Sequence, residues 1–184
     1  MIRGEKYKKQ CNKLRYALNS YTNIAGMKLE ETAALPQLQF SLCRKAYTGY
    51  VLLSFKAKDG WIANLKFLAE GLPQTLMCFA GASAKSLKIV VPFTLPDGTL
   101  PQTEQDICFF HQHAYFTSAK FYEAELGIKC ERAVPTPQTV CRISTDEHVF
   151  LNATPMPMII QQPHEGVEKR VKREIRYQMS RTSY

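Results

Sequence analysis

A turn of small residues carries the first groups that could do chemistry. In Gly81-Ala82-Ser83-Ala84-Lys85-Ser86-Leu87-Lys88, a hydroxyl (Ser83) and two ammonium groups (Lys85 and Lys88) lie close together. Small side chains let a ligand approach the backbone, and successive amide N–H groups in a tight turn can hold a phosphate. Anion recognition is therefore the chemistry this stretch suggests. A surface hairpin with solvated lysines has the same composition and is the commoner use of such a turn.

Other candidate chemistry is thinner. Metal-dependent nucleotidyl transfer needs clustered carboxylates to hold divalent cations between phosphates. An Asp-x-Asp pair at the end of a strand would aim two carboxylates to one side. The end of the apolar run before Lys58 instead reads Ser54-Phe55-Lys56, and a lysine there repels a metal but suits a phosphate. His111 and His113 are the closest histidine pair, yet they fall in a helical pattern, where positions two apart diverge. His148 and His164 stand alone. The six cysteines, at 11, 43, 78, 108, 130 and 141, form no Cys-x-x-Cys pair. No Gly-x-Ser-x-Gly, phosphate-loop or zinc-peptidase motif is present. No metal site and no cofactor is expected. Tyr47, Tyr50 and Phe55, interleaved with basic residues, could stack on bases, although strand aromatics more often fill a core.

The elements that must position these residues follow from periodicity. Residues 3–20 place Tyr7, Cys11, Leu14 and Leu18 on one helical face, with Arg3, Lys6, Lys8, Lys9, Lys13 and Arg15 on the other. Asn23 to Gly26 and Leu35-Pro36 read as turns, and Arg44-Lys45 is a further basic pair. Thr48–Lys56 reads as a buried strand. Asp59 could cap a helix whose apolar face is Trp61, Ile62, Leu65, Leu68 and Ala69 and which ends at Gly71-Leu72-Pro73. The runs Leu76–Phe79 and Leu87–Val91 make a hairpin around the small-residue turn, which would project amides, hydroxyl and ammonium groups from one end of a sheet. A long helix is expected over Thr103–Leu126 with Gly127 beyond its end, followed by a short strand near Ile128–Cys130. Thr139–Ser144 and His148–Leu151 read as two strands joined by a turn at Thr145-Asp146-Glu147. Prolines 155, 157 and 163 suggest a linker, and Val167–Arg181 a basic helix or a disordered tail. From Thr48 the order is β-α-β-β-α-β, so the expected fold is α+β, ferredoxin-like (RRM-like), with an N-terminal helix and a basic C-terminal tail.

The totals agree with one domain. The chain has 184 residues, 45% of them hydrophobic and 22% charged, an ordinary globular composition. A net charge of +8 favours a polyanionic partner, nucleic acid ahead of a membrane surface. The first residues lack the apolar core of a signal peptide, and no run approaches a membrane span, so a cytoplasmic protein with reduced thiols is expected.

Three segments carry a resemblance. Thr48-Gly49-Tyr50-Val51-Leu52-Leu53-Ser54-Phe55-Lys56 resembles a Thr-Gly-hydrophobic strand that ends in Asp-x-Asp. Phe79 to Val91 is similar to a Phe-x-Ser-Pro-Ser-Gly-x-Gly-Leu-Lys-hydrophobic hairpin, matching at Phe79, Ser83, Leu87 and Lys88. Cys141–Asp146 and Phe150-Leu151-Asn152 resemble an Arg-x-Cys-x-x-Ser-x-Asp segment and a Tyr-Leu-Asn ending. Together they resemble the VirE N-terminal, or BT4734-like, domain of Bacteroidetes mobile elements, a family placed in the archaeo-eukaryotic primase (primase-polymerase) superfamily. The resemblance spans roughly residues 1–157, leaving 158–184 as a basic tail. It implies a primase-type fold, but this chain departs from the pattern where catalysis would lie. Both metal-binding aspartates fall on Ser54 and Lys56, the two hairpin glycines on Ala84 and Ser86, and the arginine before the cysteine on Thr139. Glu131 stands near a later aspartate of the family.

The expectation is a catalytically degenerate primase-like module that binds DNA or RNA beside an active replication or transposition protein; the replaced aspartates lean against enzymatic activity and leave it open. Its binding residues would be Lys56, Ser83, Lys85 and Lys88, with Lys169, Arg170, Lys172 and Arg173 from the tail. An active nucleotidyltransferase and a protein-binding accessory subunit are the alternatives.

Overall fold

In chain order the elements are α1 (Lys8–Asn19), β1 (Gln37–Gln39), β2 (Leu42–Cys43), β3 (Ala46–Tyr47), β4 (Tyr50–Lys56), α2 (Ile62–Glu70), β5 (Met77–Ala80), β6 (Ser86–Thr94), α3 (Glu104–Leu126), β7 (Val140–Arg142), β8 (Phe150–Leu151), β9 (Met158–Ile159) and α4 (Glu165–Ser180). The structure, a computed structural model, describes residues 7–19, 35–43, 46–58, 60–131, 133–161 and 165–180. Asp59, the turn at Asn23–Gly26 and the pair Arg44-Lys45 lie outside the described residues.

The fold is mixed α+β around an antiparallel sheet in the order β4-β6-β5-β8. Strand alternation gives it two faces. On one face Val51, Leu53 and Phe55 of β4 and Leu87, Ile89, Val91 and Phe93 of β6 are buried together with Leu65 and Ala69 of α2 and Phe110, Ala114, Ala119 and Tyr122 of α3. On the other face Phe79 and Val90 pack with Cys141 and Val149, and Leu38, Phe40, Tyr50 and Leu52 border them. The short β1-β7 ladder belongs to this second layer, pairing Gln37 with Arg142 and Gln39 with Val140. α1 closes one end, where Cys11 and Leu14 are buried with Leu35, Ala82 and Ile143.

Local chemistry accounts for the main boundaries. Thr103 caps α3 by accepting from the Asp106 amide at 3.1 Å, and Gly127 ends it in the left-handed region at φ +67. Gly49, at φ +70, precedes β4, and a Cβ there would lie 2.4 Å from Leu100 Cδ2, so the Thr-Gly step is sterically required.

Several expectations change. The segment Ile128–Cys130 forms no strand; Cys130 makes a single antiparallel bridge to Phe55. β7 and β8 do not pair with each other, because β7 joins β1 and β8 joins β5. The turn between them is diverted by Asp146, which accepts from the Ala80 amide at 2.9 Å. The proline-rich segment is strapped down rather than free: Met156 donates to the Pro73 carbonyl, β9 pairs parallel with Phe93 and Thr94, and Ile160 is buried. Of the two forms expected for the basic tail, the helix is the one found, and it is docked on α3, with Ile175 buried and the Lys172 ammonium 5.6 Å above the Phe109 ring. Tyr47 and Phe55 are not open to bases, since Phe55 is in the core and the Tyr47 hydroxyl is 2.9 Å from His111 Nδ1.

Candidate functional site

Ser54 and Lys56 leave β4 on the second face, two residues apart on the same side. The β4-β6 register sets Lys88 beside Ser54 and Ser86 beside Lys56, and the β5-β6 register sets Phe79 on the far side of Lys88. The Lys88 ammonium donates to Ser54 Oγ at 2.5 Å. The Ser54 hydroxyl in turn donates to Glu131 Oε2, and Lys88 Nζ lies 3.8 Å from the same carboxylate oxygen. Lys88 and Glu131 retain 20% and 41% of their side-chain exposure, so this cluster is reachable from solvent.

The backbone beneath Glu131 is pinned to β4. Its amide donates to the Ser54 carbonyl at 2.7 Å, and the Tyr115 hydroxyl donates to the Glu131 carbonyl at 3.2 Å. Cys130 reaches the Ser54 carbonyl through its thiol at 3.4 Å, while its amide donates to Glu123 at 3.0 Å. Burial pushes the Cys130 thiol and the Tyr115 hydroxyl upward, so both stay protonated donors at neutral pH.

The hairpin turn is organised differently from its expected form. The Gly81 amide donates to the Ser86 carbonyl at 2.7 Å, the Ala84 amide to the Gly81 carbonyl at 2.9 Å, and the Lys85 amide to Ser83 Oγ at 3.2 Å. These three amides are therefore engaged within the turn. Lys85 is tied to the end of β4 through its carbonyl, which accepts from the Ala57 amide at 3.0 Å. Ala84 sits at φ +56, a conformation that favours glycine. What the turn offers outward is side chains: Lys85, Ser83, Ser86 and the nearby Lys56. Gly81 makes room for them, since a Cβ there would fall 2.6 Å from Ser86 Oγ and 3.4 Å from Lys88 Cε.

The cluster does not fit a pair of catalytic divalent cations. It offers one carboxylate, Glu131, and that carboxylate already faces an ammonium and a hydroxyl. Among the described residues no group of three or more His, Cys, Asp or Glu side chains is placed to hold a metal. Asp146 cannot contribute, because it lies beyond β5 while Glu131 lies beyond β4. It is also committed: Lys66 donates to it at 2.8 Å, as do the Ala80 and His148 amides at 2.9 Å. His111 is fully buried, hydrogen-bonded to Tyr47, and its pKa is pushed down to about 4 by burial.

The basic residues expected to act together divide between the two sides of the sheet. Lys56, Lys85 and Lys88 belong to the second face and its hairpin, whereas α4 packs on α3, which covers the first. Lys169 and Arg173 are exposed on α4, Lys172 lies over Phe109, and the Arg170 side chain lies outside the described residues. Two contacts were not legible in the sequence. One is Arg15, whose guanidinium donates to the carbonyls of Ala82 (3.2 Å) and Thr145 (3.0 Å) and so clamps α1 to the hairpin. The other is the Lys66–Asp146 pair, formed across 80 residues of sequence.

The matched pieces of sequence now lie in one architecture: the Thr-Gly strand, the hairpin beside it and the Cys141–Leu151 segment around its far edge. A family model, BT4734-like, N-terminal domain, matches residues 39–151. The chain belongs to this family. No curated protein and no solved structure matches it. The match takes in β2 to β8 and the whole Ser54–Lys88–Glu131 cluster of this BT4734-like domain, while α1, β9 and α4 lie outside it. Five described cysteines, 11, 78, 108, 130 and 141, are free thiols. Among the described residues no helix is long and apolar enough to cross a membrane.

Proposed function

We propose that this BT4734-like domain is a catalytically degenerate, primase-like module that binds nucleic acid and works beside an active replication or transposition protein. One observation carries the reading. At the positions that resemble the metal-binding aspartates of a primase, Ser54 is held by the Lys88 ammonium, and Lys56 adds a second cation next to it. A cationic surface in that place suits a phosphate backbone and opposes metal binding. The finer fold reading is ferredoxin-like. The order Cys130 bridge, β4, β6, β5, antiparallel throughout, supports it, with the last strand reduced to one bridge.

The test is oligonucleotide affinity across a salt series, with a primer-synthesis assay in magnesium and manganese beside it. No primers are expected. Each neutralised phosphate contributes a log–log slope of about −0.7 on single strands. Lys85→Ala with Lys56→Ala is expected to flatten the slope by roughly one to two units, by the same counterion argument. Lys88→Ala is expected to weaken binding more than its slope change implies, because Glu131 then faces the phosphates uncompensated. Undetectable binding at low salt, or unchanged slopes, would leave a protein-binding accessory subunit as the better reading. Template-dependent extension that Glu131→Gln abolishes would establish the nucleotidyltransferase instead.

A further inference from the structure

α1 presents a basic stripe with one aromatic ring to solvent. Its other side docks on the domain: Cys11 and Leu14 are buried, Arg15 donates to the carbonyls of Ala82 and Thr145, and Lys8 lies 3.1 Å from Glu147. Lys9, Asn12, Lys13 and Tyr16 fall at i, i+3, i+4 and i+7, so they share the outward side, and all four are exposed. Tyr16 has 73% of its surface in solvent. Together with Lys8 these residues line a cavity of about 580 Å³. The first turn of α1 holds Lys8 and Lys9 and no acidic residue, so its cations add to the positive end of the helix dipole instead of offsetting it.

Acidic residues do not cancel this charge. In residues 1–34 seven Lys and Arg stand against three Glu, at 5, 30 and 31. In the turn that Arg15 clamps, Glu147 meets Lys8 and Asp146 is held by Lys66. An anionic occupant is therefore the complementary one. The ring decides its kind. A Tyr ring among cations is a stacking platform for an unstacked base, whereas a duplex keeps its bases stacked inside. A membrane-surface helix would need an open apolar face, and that of α1 is buried against Leu35, Ala82 and Ile143. The neighbourhood agrees, because Ala82, which α1 covers, stands in the turn that carries Ser83 and Lys85.

We propose that the outward stripe of α1 is a binding site for single-stranded nucleic acid, in which Tyr16 stacks on a base while Lys9 and Lys13 meet neighbouring phosphates. This site, which rests on the nucleic-acid reading above, lies next to the hairpin and on an element outside the matched residues 39–151. An α-helix rises about 1.5 Å per residue, so Lys9 and Tyr16 lie roughly 10 Å apart along the axis, the reach of a few nucleotides.

The test is fluorescence anisotropy of the full chain with labelled oligothymidine, an abasic strand of the same length and a duplex. Tyr16→Ala is expected to weaken oligothymidine binding about tenfold with an unchanged salt slope, because stacking on one base is uncharged. Tyr16→Phe is expected to keep wild-type affinity. Binding of the abasic strand and of the duplex is expected to be the same in Tyr16→Ala as in the wild type. Lys9→Ala is expected to flatten the single-strand slope by about 0.7, for one phosphate contact. Both side chains are exposed, so far-UV circular dichroism is expected to stay unchanged. Oligothymidine binding that neither Tyr16→Ala nor Lys9→Ala alters overturns this site; the hairpin reading survives that result if Lys56→Ala with Lys85→Ala still flattens the slope. Loss in the α1 variants alone overturns the hairpin reading and leaves this site standing. Undetectable binding by the wild type at low salt overturns both. An equal Tyr16→Ala loss on the abasic strand overturns base stacking, and a loss confined to phosphatidylserine vesicles makes the stripe a membrane contact instead.

Discussion

The Lys88 ammonium donates to the Ser54 hydroxyl at 2.5 Å across a register pair of β4 and β6, and Glu131 accepts from Ser54 and lies 3.8 Å from the ammonium. An internal cation therefore balances the carboxylate that an external cation would otherwise need to meet. Manganese is expected to leave the thermal midpoint of the wild type unchanged. Ser54→Asp with Lys56→Asp sets two more carboxylates beside Glu131 on the same face. That variant is expected to melt lower without metal, through like-charge repulsion. Metal at about a hundredfold over its dissociation constant adds about 2.7 kcal/mol, or roughly 5–10 °C. Thermal melts of both proteins with and without manganese check this. An equal metal response in the wild type would overturn the assignment of Lys88.

A second ion pair is structural. Lys66 and Asp146 keep 10% and 9% of their side-chain exposure, and they lock the turn before β8 to α2 and to the end of β5. Removing one partner of a buried pair strands the other, at a cost of about 3–5 kcal/mol. Lys66→Met and Asp146→Asn are each expected to destabilise by that amount, and the double variant by less than their sum. Burial alone would raise the Asp146 carboxyl, but the hydrogen bonds from Lys66, Ala80 and His148 outweigh it and hold it below the ordinary carboxylate range. The unfolded chain thus takes up this proton first as pH falls. The stabilisation is fully present above the unfolded value near 3.9 and is lost as pH drops through the lower folded value. Denaturant melts of Asp146→Asn are expected to lack this acid-side loss.

His111 acts over a higher pH window. Burial pushes its pKa down to about 4, from 6.5 in the unfolded chain, and His113 is shifted the same way by its own burial. A group depressed in the folded state is protonated first in the unfolded chain, so stability falls as pH drops from 6.5 toward 4 and this contribution levels off below. For His111 the loss is about 3 kcal/mol, at roughly 1.4 kcal/mol per pH unit. His111→Gln keeps an acceptor for the Tyr47 hydroxyl and is expected to flatten most of this slope. Denaturant midpoints between pH 7 and 4 measure it; an undiminished slope in the variant would place the dependence elsewhere.

How much of this the sequence held depends on whether the signal was local. α3 was legible from Thr103 to Gly127, because both its ends carry their own capping chemistry. β4 and β6 were legible for the same reason, as apolar runs bounded by Gly49 and the small-residue turn. The face of Ser54 and Lys88 also follows from alternation alone. Pairing partners did not follow. β7 takes β1 from more than 100 residues away, and nothing in Val140–Arg142 names Gln37–Gln39. β9 is only two residues long, so the prolines around it dominated the reading. Lys66 carries no local sign that it is the buried cation of its helix. The engagement of the Gly81 and Ala84 amides was not legible, because their partners are backbone carbonyls set by turn geometry rather than by residue type.

The hairpin turn itself gives the last expectation. Ala84 holds φ +56, where the resembling family places glycine, and its Cβ makes that conformation cost about 1–2 kcal/mol. Glycine removes that strain but adds freedom to the unfolded chain, worth about 0.4–1 kcal/mol in the opposite sense. Ala84→Gly is therefore expected to stabilise the protein by up to about 1 kcal/mol. Gly81 is the contrasting position. Its added Cβ would fall 2.6 Å from Ser86 Oγ and 3.4 Å from Lys88 Cε, so Gly81→Ala must displace the side chains that frame the cluster. The hydrogen bond that its amide donates to the Ser86 carbonyl at 2.7 Å ties the same distortion to the start of β6. Gly81→Ala is expected to lower both the thermal midpoint and oligonucleotide affinity, whereas Ala84→Gly raises the midpoint and leaves affinity within about twofold, because the turn's outward side chains are unchanged. Melts and binding isotherms on the two variants separate the roles. Equal loss of affinity in both would mean that the turn binds through its backbone, which its internal hydrogen bonds oppose.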